Sequence, residues 1–271
     1  MANGVPRSTN PPGAVVIDLR VWIVGGAVAV VGLVVLFAFL WMVPHAAERE
    51  VKSACEAMRS IQPNADPNAR CARGDEACER AITLAQALCK QGEPCRWPMR
   101  APDFAAVDYR GQHVHLSDFR GKKVLLNFWA SWCGVCESEK PHLNEMAGDL
   151  TSNDFAVVAL ASDRTWTDVL LAIVKSIAGE AALPHGDHIS IEQALSAYQA
   201  ALPDGVPFQV YLDPPDDDGN IGAIAKSWGL HAVPDSVFID REGNIRAYFV
   251  NKRDWQSPVA ETCLRSLIDG D

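Results

Sequence analysis

Two cysteines two residues apart, Cys133 and Cys136, stand in the stretch "NFWASWCGVCESEKP", behind an apolar run and ahead of a charged segment with helical spacing. Thiols at this spacing can hold zinc, staple a fold or exchange electrons with another protein. Exchange needs a thiolate, because the thiolate and not the thiol attacks a disulfide. Cys133 falls where a strand ends and a helix begins. The helix dipole and the unpaired backbone N–H groups there favour the anion. Cys136 lies one turn further on and can expel a mixed disulfide from within the chain. A dithiol at a helix start does not bridge distant segments, which argues against a purely structural staple.

The neighbours fit that chemistry. Trp132 would shield the pair and offer an apolar contact. Glu139 follows Cys136 by three residues and shares its helix face. A carboxylate there could take or return the thiol's proton, and would raise thiol pKa values by like-charge repulsion. Pro141 removes a helix hydrogen bond and is structural.

The rest of the chain must position this pair. It has 271 residues, 48% hydrophobic and 21% charged, with Lys+Arg 24 against Asp+Glu 34 and a formal charge of −10. That composition excludes a chain disordered overall, and the acidity argues against nonspecific nucleic-acid binding. Residues 1–20 form a short Pro- and Gly-rich tail, expected on the cytoplasmic side. Residues 21–43 carry no charge and are long enough to cross a bilayer as a single helix, with Trp22 and Trp41 near its ends. A cleaved signal peptide is the alternative, but the apolar run is long for one.

Eight cysteines then bear on the compartment. Cys55, Cys71, Cys78, Cys89 and Cys95 crowd residues 44–100, and Cys263 stands near the C-terminus. Setting the C-x-x-C aside leaves six, which suggests a disulfide framework in an oxidising compartment. The expectation is therefore a single-pass protein of the cytoplasmic (inner) membrane, with its catalytic domain in the periplasm or outside. Two helical stretches, "AAEREVKSACEAMRSI" and "DEACERAITLAQALCK", flank the turn "QPNADPN". Folding them antiparallel would bring Cys55 opposite Cys78. Five cysteines cannot all pair locally, so one is free or reaches Cys263.

From residue 101 the pattern becomes α/β. "HVHL", "KVLLNFWA" and "FAVVALAS" look like strands. "SEKPHLNEMAGDL" places Leu143, Met146, Ala147 and Leu150 on one helical face. "SVFIDREGNIRAYFV" looks like a hairpin, and "VAETCLRSLI" like a closing helix. Residues 163–206 look like an inserted helical pair.

"APDF", "GQHVHLSDFRGKKVLLNFWASWC", C-x-x-C-x-x-E-x-P and "GLHAVPDSVFIDREGNI", in that order, make residues 101–271 resemble the TlpA/ResA group of membrane-anchored thioredoxin-like thiol–disulfide oxidoreductases, which includes cytochrome c maturation proteins. The resemblance implies a thioredoxin-like α/β fold with an N-terminal β-hairpin extension and a helical insertion, preceded by a transmembrane helix and a Cys-rich helical segment. It also implies a functional acid at Glu139, a cis-proline at Pro234 facing the C-x-x-C, and a Val233 backbone able to pair with an extended substrate. Ordinary thioredoxins bury an acid ahead of the motif, where this chain has Asn127. Gly134 and Val135 replace the Pro or His common between the cysteines in relatives, so a strong oxidant is not expected.

The expected function is a reductase of partner proteins in cytochrome c or copper-site assembly, resupplied by an upstream membrane electron donor. The dithiol carries two electrons, so no cofactor or metal is expected. A copper-binding metallochaperone using Cys133, Cys136 and His231, and a noncatalytic thioredoxin-fold adaptor, are the alternatives. Copper carriers of that kind space their cysteines C-x-x-x-C, which this chain lacks. Ala130 stands where a thiol peroxidase needs Thr or Ser. His185 and His188 in "HGDH" and the acidic "DPPDDDGN" read as solvated loops.

Overall fold

The computed structural model describes residues 19–58, 70–88, 99–216 and 218–270. The chain divides into two compact units, 1–50 and 51–271. The described residues of the first, 19–50, are helical. It holds most of helix α1 (Leu19–Met58), whose stretch Ile23–Met42 is long and apolar enough to cross a membrane and has no buried part. Such a helix near the N-terminus suits a membrane anchor or a signal sequence. The expected boundary at 43/44 does not interrupt it. Ala46, Ala47, Glu48, Arg49 and Glu50 are good helix formers, and α1 continues through Pro44 to Met58.

The second unit is built on one eight-stranded sheet in the order β1-β8-β7-β4-β5-β6-β2-β3. Its strands are β1 (Met99–Arg100), β2 (Ala105–Val107), β3 (His113–His115), β4 (Lys123–Trp129), β5 (Phe155–Ala161), β6 (Gln209–Leu212), β7 (Asp235–Ile239) and β8 (Asn244–Val250). Strands β4, β5 and β6 run parallel, whereas β7 lies antiparallel to β4. Strands β2 and β3 form the expected N-terminal hairpin, which docks on β6. Every residue of β4 and β5 is buried, as their mostly apolar runs favour, although β4 carries Lys123 and Asn127.

Successive strand residues point to opposite faces, and the two cores follow from this. Leu125 and Trp129 of β4, with Phe155, Val157, Ala159 and Ala161 of β5, pack under α3 (Gly134–Leu150), α4 (Trp166–Ala178), α5 (Ile191–Ala201) and α7 (Pro258–Asp269). Val124, Leu126 and Phe128, with Val158 and Leu160, face the other way. There they meet Leu116 and Phe119, α6 (Ala223–Ser227) and Leu88 of α2 (Glu76–Leu88). Helices α4 and α5 are the helical pair expected within 163–206. Residue types set their bounds: Thr165 caps α4 through Asp168 N, and Ser190 caps α5 in a reciprocal box with Gln193.

The cysteines pair differently from the expected antiparallel arrangement. Cys71 bonds Cys78, seven residues away, and Cys55 bonds Cys263 of α7. Cys78 belongs to the first turn of α2, so the chain entering that helix is its near neighbour. The end of α1 lies instead against the α7 face of the core, where Cys55 is buried. Cys89, Cys95 and the "QPNADPN" turn lie outside the described residues.

Candidate functional site

Strand β4 ends at Trp129, and helix α3 starts five residues later. Cys133 is the N-cap of α3, and its Sγ accepts a hydrogen bond from Cys136 N at 3.1 Å. It is bonded to Cys136 in a disulfide. Cys133 is 8% exposed and Cys136 is fully enclosed. The rim around them is apolar and open: Trp132 is 50% and Val135 51% exposed.

The loop carrying the first cysteine is tied to the end of β5. Asp163, buried, accepts from Ser131 N at 3.0 Å and from the Ser131 hydroxyl. Trp132 donates its indole N–H to the Ser162 carbonyl at 3.0 Å. Facing them, the Val233–Pro234 peptide bond is cis, and the Val233 carbonyl oxygen lies 3.5 Å from Cys133 Sγ. A reduced Cys133 thiol could donate there, whereas the disulfide cannot. His231, two residues earlier, is exposed. Among the described residues no group of three or more His, Cys, Asp or Glu is arranged to hold a metal ion.

Beneath the dithiol lies a polar network enclosed by the core. Asn127 falls on the α3 face of β4 by the same alternation that places Leu125 and Trp129 there. Its amide nitrogen donates to Ser236 Oγ, its register partner on β7, at 3.0 Å, and to Glu139 Oε2 at 3.4 Å. Its carbonyl oxygen accepts from Lys140 Nζ at 2.8 Å. Glu139 Oε1 accepts from Arg253 N and from Trp255 Nε1, each at 2.9 Å. Glu139 is 1% exposed and Lys140 is fully buried, its ammonium 4.1 Å from the centre of the Trp129 ring. Desolvation pushes the Glu139 carboxyl upward, opposed by Lys140 and by its three donors. Desolvation pulls Lys140 downward, opposed by Glu139 and Asp163. Burial likewise raises Asp163, against the pull of its Ser131 hydrogen bonds. The result is a carboxyl group next to a dithiol, kept dry, with a titration moved toward that of the thiols. Closer titrations of two neighbouring groups favour proton transfer between them.

The structure thus brings together Trp132, Cys133, Cys136, Glu139, Val233 and Pro234. Sequence reading missed Lys140, Asp163 and Arg253. Lys140 had a usable signal. Counting back from Leu143 by three, four and seven residues gives Lys140, Glu139 and Cys136, the same stripe that continues to Met146, Ala147 and Leu150.

Comparison with known proteins places residues 98–264 within the Redoxin family model. The thiol-disulfide oxidoreductase ResA of Bacillus cereus is 28% identical over 164 residues, covering 60% of this chain and 75% of that protein. ResA of Geobacillus kaustophilus is 54% identical over 46 residues, 17% of this chain and 26% of its own. Among solved structures, the pneumococcal exposed lipoprotein thioredoxin Etrx1 of Streptococcus pneumoniae is 24% identical with a TM-score of 0.40, covering 62% of this chain and 99% of that one.

Proposed function

This chain belongs to the Redoxin family and is a thiol–disulfide oxidoreductase with Cys133 and Cys136 as its dithiol; on that premise we propose that it reduces disulfides of partner proteins outside the cytoplasmic membrane. The observation that carries the reading is the asymmetry of the pair. Only Cys133 has exposed surface, and it sits at the helix N-terminus that favours a thiolate.

In this reading the Cys133 thiolate attacks one sulfur of the partner's disulfide, and the partner's other sulfur leaves as a thiolate. Glu139 accepts the Cys136 proton. The Cys136 thiolate then attacks Cys133 Sγ and expels the partner's second sulfur as a thiolate, which takes a proton. The partner gains two electrons, and the Cys133–Cys136 disulfide forms. Val233 and Pro234 line the partner's path, and Trp132 packs against it. A membrane-bound donor must return the two electrons. Tethering by the helix within 21–43 is part of the proposal. The bonds Cys55–Cys263 and Cys71–Cys78 support an oxidising compartment for the rest of the chain. Apocytochrome c and copper-site assembly proteins are the partner classes proposed.

Replacing Cys136 with alanine tests the reading in cells. The expected result is a set of reducible, partner-linked species above the 29.4 kDa chain that vanish when Cys133 is also replaced. Trapping by Cys133→Ala instead would reverse the two roles. No trapping by either variant, with no exchange in vitro, would remove the reductase reading.

A further inference from the structure

Helix α2 lies outside the residues matched by the family, yet it touches both ends of the loop that carries the cis-proline. At one end is Gly229, with φ +80°. A Cβ added there would come 2.8 Å from both Ala87 Cβ and the Thr83 carbonyl oxygen. The second half of α2 is thus pressed onto the Gly229 backbone, and only a residue without a side chain fits that approach. At the other end is Asp235, directly after Pro234 and buried. Arg80 Nη1 of α2 reaches Asp235 Oδ1 at 2.8 Å. Asn251 N donates to the same oxygen, and the Tyr248 hydroxyl donates to Oδ2. Leu88 adds an apolar contact to the core under the loop. The start of α2 is fixed in turn. Asp75 Oδ1 accepts from Cys78 N at 3.0 Å, and the Cys71–Cys78 bond closes two residues before Arg80.

We propose that α2 clamps the substrate loop 229–235, with Arg80 as a positioning residue that holds Val233 and Pro234 at the dithiol for an extended protein substrate. This rests on the reading that Val233 and Pro234 meet the partner. Without Arg80 the carboxylate keeps its Asn251 and Tyr248 donors but loses its counter-charge and its tie to α2, which frees the residue next to Pro234 from the helix. A small disulfide that never uses the loop should be indifferent to this.

The test uses the full chain in detergent as parent, Arg80→Met and Arg80→Lys, with Cys133–Cys136 reduced by limiting dithiothreitol and Cys71–Cys78 shown by mass mapping to be still closed. Each is assayed on a small aryl disulfide and on insulin, whose interchain disulfides stand in for a protein substrate. Rates are read in single turnover, so KM and kcat stand for the half-saturating concentration and the limiting rate. For Arg80→Met the expected result is a KM for insulin raised about fivefold, with kcat and the aryl-disulfide rate changed less than about twofold. Arg80→Lys should recover most of the loss. An insulin KM within about twofold of an active parent overturns the clamp and leaves the oxidoreductase reading standing. A parent active only on the small disulfide overturns the role of the loop, and the clamp with it. A parent silent on both removes the oxidoreductase reading. If Arg80→Met loses both reactions together, the Cys71→Ala, Cys78→Ala double variant decides, because it frees the first turn of α2. The same KM shift is then expected, and an unchanged KM overturns the proposal.

Discussion

Replacing Glu139 with glutamine removes one charge and almost no volume. Two effects follow from the geometry around it. On a helix, side chains three apart have Cβ atoms about 5–6 Å apart, so Glu139 and Cys136 are near neighbours. At an effective dielectric of about 20, a unit charge about 6 Å away is worth roughly 332/(20 × 6), or about 2.8 kcal/mol, near two pK units. That is a ceiling, because the buried Lys140 ammonium offsets part of the negative charge. The expected change is a fall of about one unit in the titration that governs dithiol reactivity. The two thiols titrate as a pair, so the shift reaches Cys133 even if the charge acts mainly on Cys136. The second effect is on stability. The neutral glutamine leaves Lys140 as a buried cation without its counter-charge. Breaking one partner out of a buried pair costs about 3–5 kcal/mol, less where the survivor sheds its proton. Burial already pulls Lys140 in that direction, and Asn127 rather than a direct ion pair joins the two groups, so a loss below that range, about 1–2 kcal/mol, is expected at neutral pH. Alkylation rates of the reduced chain measured across pH would give the first number, and urea unfolding the second. The double variant Glu139→Gln, Lys140→Met should be more stable than Glu139→Gln alone, since it removes the stranded charge. Alkylation curves for Glu139→Gln that superimpose on the parent's would refute the electrostatic role. A double variant less stable than the single one would refute the pairing.

Two further outcomes follow from groups away from the dithiol. Burial lifts the Asp213 carboxyl from 3.8 to about 6, outweighing the N–H groups of Ile224 and Ala225 that favour its charged form. The stability it lends is whole below 3.8 and is lost as pH rises to about 6. The unfolding free energies of the parent and Asp213→Asn should therefore change relative to each other by about 3 kcal/mol across that window, and a constant difference would remove the assignment. The Cys55–Cys263 bond joins residues 208 apart, for which the chain-entropy relation gives about 5 kcal/mol and typical measurements give about 2–4. The Cys55→Ala, Cys263→Ala variant should lose at least about 2 kcal/mol in urea while keeping dithiol exchange, and an unchanged midpoint would mean the bond does not form.

Much of the thioredoxin-like domain could be read from residue order because its signals are local. The buried runs of β4 and β5, the Leu143 stripe of α3, the Glu-Gly-Asn turn and the capped helices of 163–206 each depend on neighbours within one or two turns. Strands β1 and β6 were missed because strands of two and four residues carry too few side chains to show a period. The site divides in the same way. Cys133, Cys136 and Glu139 announce themselves by spacing, and Pro234 by the family resemblance. Lys140 does not, because a lysine in "ESEKP" looks solvated until the Trp129 ring and the Asn127 carbonyl close over it. Asp163 and Asp235 sit at strand termini, where an acid is commonplace, and only the fold sets one against Ser131 and the other against Arg80. The cysteine pairing was misjudged for a related reason. Helical periodicity gives each helix a face but not a destination, and the end of α1 went to α7.

The alternation along β4 separates two populations of side chains that share few partners, Val233 being one. Leu125, Asn127 and Trp129 belong with α3, and Val124, Leu126 and Phe128 belong with the opposite layer. Changes at well-separated positions without common neighbours add almost independently. The sheet therefore works as a party wall between two tenancies. The layer holding Asn127, Glu139 and Lys140 carries the proposed proton chemistry in a closed hydrogen-bond network and admits few alternatives. The layer holding Trp228, Leu230 and the α2 contact can be refurnished to suit a new partner, with the reactive sulfurs left as they were. One backbone can in this way present different recognition surfaces over a single redox centre.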